Sequence, residues 1–191
     1  MIKNKSLYII LFLCTVSLCA GAFYEVFLTG QGKEQLMDIL SNHYTPQQFT
    51  FGKIFISNLA SCFKIWFILF VCPIIPILGL ASPLACIIKS FSLGFSATML
   101  VETFGIKGIK YIFYTILPQG VIQLPIYVLL SICSCKFSIL TTKFILQRAE
   151  RKKNKNVLQQ NARHYVIFFA ISLFILTISA LIEAYLKQFL L

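Results

Sequence analysis

An all-α membrane bundle of about five transmembrane helices is the fold this sequence predicts. Of its 191 residues, 58% are hydrophobic and only 12% charged, and mean hydropathy is +0.84, outside the soluble range. Apolar segments near the ~20 residues needed to cross a bilayer follow one another from Leu7 to Leu191. The chain is too short for several packed spans and a sizeable soluble domain as well, so residues 1–191 read as a single integral membrane domain.

The spans fall at about 7–28, 55–80, 83–101, 110–135 and 165–185. Lys3 and Lys5 precede the first, and Ala20, Gly21 and Ala22 would suit a cleaved signal peptide. Apolar sequence continuing through Phe23, Val26 and Leu28 is longer than a signal core needs and favours a retained helix. Neither Cys14 nor Cys19 follows the small residue of a lipoprotein cleavage site. Between the first two spans, Leu36, Met37, Ile39 and Leu40 fit a short amphipathic helix over 33–42, suited to a partner or to lying on lipid. Pro73, Pro76, Gly79, Ser82 and Pro83 break the chain between the second and third spans, as a tight turn, a kink or a re-entrant piece. In the fourth, Pro118 and Pro125 lack backbone donors and share nearly one face of a regular helix. That predicts a bend and leaves the carbonyls of Tyr114 and Val121 without helix partners.

Short loops rich in Lys and Arg stay cytoplasmic. The connector before the last span carries Lys136, Lys143, Arg148, Arg151, Lys152, Lys153, Lys155 and Arg163 against one acid, Glu150. It is therefore assigned to the cytoplasm together with the N-terminus, and residues 31–53, 102–110 and the C-terminus to the outside. The net charge of +11 is concentrated in that connector, where anionic lipid is the nearest counterion and nucleic acid is not expected; an acidic cytoplasmic partner is the other reading. The seven cysteines all fall in predicted spans, where thiols pack as small apolar groups.

Each span carries a polar or small-residue stripe: Ser17, Gly21 and Glu25; Ser57, Ser61 and Lys64; Ser90, Gly94 and Thr98; Gln119, Gln123 and Tyr127; Ser172, Ser179 and Glu183. These stripes are expected to face one another and pack the bundle, with amides and hydroxyls contributing about 0.6–2 kcal/mol per inter-helix bond. Charge inside a span costs about 2.5–3.5 kcal/mol or more unless paired or hydrated, so Lys64 and Lys89 require partners or a route to water. Lys89 can snorkel toward the cytoplasmic interface. Lys64 is deeper, and an ion pair with Glu25 or Glu183 is the expectation for it. The only histidines, His43 and His164, lie outside the spans. No nucleophile, metal or cofactor constellation follows, and an enzyme is not expected.

Several features together resemble the stage II sporulation protein M family. They are Gly21 with its basic flank; Asn58, Leu59 and Trp66; Lys89, Gly94 and Phe95; Gly105 and Gly108; Leu117, Pro118, Gln119 and Pro125; Phe137 and Ser138; and Glu183, Ala184 and Tyr185. The resemblance runs over nearly the whole chain and rests on the order of these features. Gly120 and Lys64 depart from it: Asn is expected at the first position and an apolar residue at the second. Wider relatives tend to carry His and Glu where Gln119 and Gln123 stand. The resemblance implies a non-enzymatic anchor at the mother-cell septal membrane that holds the peptidoglycan-degrading stage II sporulation proteins D and P. A small transporter or channel subunit, with the polar stripes and proline breaks lining a path, is the competing reading.

Overall fold

The computed structural model describes residues 4–27, 30–43, 51–75, 79, 81–146 and 151–188. The described residues are all-helical, with six helices: α1 (Asn4–Phe27), α2 (Gln31–His43), α3 (Phe51–Val71), α4 (Ser82–Phe104), α5 (Ile106–Leu146) and α6 (Arg151–Gln188). Five contain segments long and apolar enough to span a membrane; α2 is the short helix expected between the first two. The breaks are sharper than the apolar pattern indicates. The second span, expected to reach residue 80, ends as an α-helix at Val71, where Pro73 forces a 3₁₀ turn over Cys72–Ile74. The basic connector is largely helix: α5 runs to Leu146, and α6 has begun by Arg151.

Neighbouring contacts fix the direction of every long helix. Ser17 Oγ donates to the Ile87 carbonyl at 2.8 Å, and Gly21 lies against Phe91, so α1 and α4 run parallel. Gly108 packs on Leu100 and Ser82 Oγ reaches the Ser131 carbonyl, so α4 and α5 are antiparallel. Gln123 bonds Ser179 while Phe137 stacks on Tyr165, which makes α5 and α6 antiparallel as well. Trp66 Nε1 donates to the Phe169 carbonyl at 3.1 Å, and Lys187 reaches Asn58, setting α3 antiparallel to α6. This is the alternation that five successive crossings require.

The core shows how the chain repairs its own breaks. Pro73 cannot donate to the carbonyl one turn earlier, that of Leu69. That oxygen is fully buried, and it accepts instead from Ser134 Oγ on α5 and Tyr165 OH on α6, each at 3.1 Å. Tyr165 OH also lies 3.1 Å from the Phe70 carbonyl. Around this polar cap Trp66, Phe70, Phe137, Tyr165 and Phe169 form one aromatic cluster, with Tyr165 and Phe169 ring centroids 4.4 Å apart.

The two prolines of α5 sit in a form that regular helix geometry does not include. Residues Ile112–Ile116 and Gln119–Gln123 are π-helical, with Leu117 N–H donating to Ile112 and Leu124 N–H to Gln119, each five residues back. A wider turn before each proline accommodates the ring that cannot donate. It also adds a residue to the turn and so rotates the rest of the helix about its axis. Pro118 is buried and Pro125 exposed, rather than both lying on one face.

Candidate functional site

Two buried systems bind the helices to each other. The first is the seam between α1 and α4. Gly21 and Gly94 each lie directly on a backbone carbonyl of the opposing helix, of Phe91 and Leu18 respectively, and a methyl group at either position would overlap that oxygen. The expected stripes of these two spans therefore meet, with Ser17 and Ser90 buried beside the glycines. At the C-terminal end of α1, buried Glu25 pairs with Lys33 of α2 at 2.9 Å, and Lys33 also pairs with Glu102 at the end of α4. Lys33 thus ties α2 to both helices, a role that its place at the start of the expected helix over 33–42 gave no sign of.

The second system is a polar chain across α3, α4, α5 and α6. Lys89 Nζ donates to Gln119 Oε1 at 3.3 Å, and Gln119 Nε2 donates to Glu183 Oε1 at 2.7 Å. Lys187 pairs with the same carboxylate oxygen at 2.9 Å and lies 3.4 Å from Asn58 Oδ1. One turn further into α5, Gln123 Nε2 reaches Ser179 Oγ at 3.3 Å, and Tyr127 OH lies 3.5 Å from the Cys62 carbonyl. Glu183 is 0% exposed. Among the described residues, its Oε2 and Asn58 Nδ2 have no hydrogen-bond partner. The π turn over Gln119–Gln123 places both amides toward the bundle, which gives Gln119 a carboxylate on one side and an ammonium on the other. A Gln fits between them because its amide both accepts and donates.

Two expectations about charge are corrected here. Lys89 does not snorkel to an interface; it turns into the bundle and meets Gln119. Lys64 has neither Glu25 nor Glu183 beside it, because Lys33 takes the first and Lys187 the second. It is exposed on the outside of α3 along with Ser57 and Ser61. Four of the five stripes turn inward, and this one turns out. Lys187 was legible as a partner for Glu183 from its position four residues on, a spacing that puts both on one helix face.

Among the described residues, no group of three His, Cys, Asp or Glu side chains is arranged to hold a metal ion. All seven cysteines are free thiols, and Cys72 lies in the 3₁₀ turn rather than within a span. Where α5 and α6 lead into the basic connector, a groove of about 420 Å³ is lined by Lys136, Asn161 and His164 above Phe137, Phe168 and Ile171.

The family model described as Stage II sporulation protein M matches residues 8–187, which takes in all five spans and both buried systems. The chain belongs to that family. Neither a curated protein nor a solved structure matches it. Family membership makes it a sporulation protein, and its five apolar helices make it a multi-pass membrane protein. The family is generally non-catalytic. Within this stage II sporulation protein M relative, the residues that carried the resemblance have structural places. Asn58, Lys89, Gln119 and Glu183 make the polar chain, Trp66 bonds α6, and Gly94 sits in the α1–α4 seam. Gly105 turns the chain between α4 and α5 with φ of 57°, and Gly108 then packs on the Leu100 carbonyl.

Proposed function

We propose that the protein is a non-enzymatic scaffold of the engulfment machinery, anchoring and localising peptidoglycan-degrading partners at the septal membrane of the mother cell. Those partners are the stage II sporulation proteins D and P. The observation that carries this reading is the family match over residues 8–187. The bundle's chemistry agrees with it. Apart from Lys64, the ionisable and amide groups inside the spans tie helices together, as in the chain from Lys89 to Lys187, and are not gathered around a site open to substrate. In this reading residues 1–191 act as one membrane domain. The N-terminus and the basic connector lie in the cytoplasm, where anionic lipid meets the groove at Lys136 and His164, and α2 and the C-terminus lie outside. Deleting the protein is expected to leave the wall-cutting enzymes intact but misplaced, with engulfment halted at a flat septum. Fluorescent fusions of those enzymes in the deletion strain read this directly, and normal engulfment there removes the scaffold reading.

A small transporter or channel subunit is the second reading. It draws support from Glu183 Oε2 and Asn58 Nδ2, buried polar atoms without partners among the described residues, in a region that includes Lys89 and Lys187. Such atoms suit a hydrated path. Replacing the polar residues singly by small apolar ones separates the two: a scaffold that still folds keeps its partners, whereas a conducting path loses flux.

A further inference from the structure

Among the described residues, no opposite charge pairs with Lys64. At 1.5 Å per residue it lies about 10 Å from the end of α3 at Val71, and farther still from the start at Phe51. The side chain is exposed, and Phe63, Phe67 and Ile68 around it are about half exposed. It therefore projects from the bundle within the belt that would otherwise meet lipid. Ser57, Ala60 and Ser61 are exposed on the same strip. An ammonium in hydrocarbon has to be hydrated or paired. Small residues on the strip offer no bulk to shield its stem, but they do allow another helix backbone to come close.

We infer that the α3 strip of Ser57, Ala60, Ser61 and Lys64 docks a transmembrane helix of another protein carrying an Asp or Glu at the depth of Lys64. A second copy of this chain cannot supply that group. Of its six acidic residues, Glu25 and Glu183 are buried and paired. Glu34 and Asp38 are exposed on α2, Glu102 lies at the end of α4, and Glu150 falls between α5 and α6 in the sequence. None lies on the outer face of a span at mid-depth. The inference deepens the scaffold reading by naming the surface through which the protein holds a membrane partner and the chemistry of that partner.

Photo-crosslinking residues placed at Ala60 and at Phe67, in the full chain in membranes of sporulating cells, test it, with Phe174 on the exposed face of α6 as control. Crosslinks from the two α3 positions, and not from Phe174, are expected to map to a membrane segment containing Asp or Glu. Their yield is expected to fall at least tenfold in Lys64→Leu, to return in Lys64→Arg, and to fall again when the partner's carboxylate is changed to its amide. Because Lys64 is exposed, Lys64→Leu is expected to accumulate like wild type; Lys64→Gln gives the same comparison if it does not. Crosslinks only to lipid, crosslinks to a second copy, or a protein product whose yield ignores Lys64 each overturn the inference. Co-isolation of the wall-cutting enzymes with a chain whose α3 strip touches only lipid would remove this inference and leave the scaffold reading standing. Correct placement of those enzymes without the protein would remove the scaffold reading, while the α3 crosslinks remain readable.

Discussion

Two glycines on the α1–α4 seam leave no room for a side chain. Gly94 and Gly21 each face a carbonyl oxygen of the opposing helix, so the distance between α1 and α4 is set by backbone against backbone. With no hydrophobic driving force between helices in lipid, that close approach is the main source of attraction along the seam. Gly94→Leu is expected to push the helices apart and to cost about 1–3 kcal/mol, the usual range for forcing bulk into a packed interface. The measurement is the fraction of monodisperse protein recovered in mild detergent together with its thermal aggregation midpoint. Gly120 is the internal control: nothing lies near the position of its absent side chain, so Gly120→Ala is expected to behave like wild type in the same assay.

At the scale of the element, α5 shows how much the sequence reveals and where it stops. The spacing of Gln119, Gln123 and Tyr127 was enough to place them on one face, and they do point into the bundle. The prolines were enough to foresee an irregular helix. The form of the irregularity was not legible, because a proline can be absorbed by a kink, a lost bond or a wider turn, and packing against α4 and α6 chooses between them. Lys64 was misread for a related reason: periodicity says which residues share a face but not which neighbour that face meets. The partner of Glu183 was closer to hand, in Lys187 one turn on. Changing both Gln119 and Gln123 to Leu removes the link from Lys89 to Glu183 and the bond to Ser179. The double variant is expected to lose about 1–3 kcal/mol of inter-helix bonding. A lower yield of folded protein, or weaker co-isolation of partners at equal yield, is the readout. Wild-type values for both would mean that the amides contribute nothing to the bundle.

For the whole molecule, the contacts that set helix directions also divide its ends. The N-terminus of α1, the turn after α3, and the junction of α5 and α6 share one end; α2, the α4–α5 turn and the C-terminus of α6 share the other. Span number and class were legible because hydropathy and length alone determine them in a bilayer. The shared ends were not, since they depend on which helices touch. Charge now distinguishes the two ends in a way the structure allows to be tested. Lys136, Lys143 and Arg163 belong to the first end, next to the basic residues 151–155 at the start of α6, whereas the second end carries Lys33, Lys53, Lys107, Lys110 and Lys187 beside all three acids exposed on the described helices, Glu34, Asp38 and Glu102. Basic residues near short loops hold an end in the cytoplasm, while acids contribute little. Single cysteines introduced at Lys152, His43 and Leu191, in a chain whose own thiols are replaced, are therefore expected to divide cleanly. His43→Cys and Leu191→Cys should react with a membrane-impermeant maleimide added to intact cells, and Lys152→Cys only after the membrane is opened. Labelling of the position-152 thiol in intact cells would reverse the bundle and put the groove at Lys136 and His164 on the wall side.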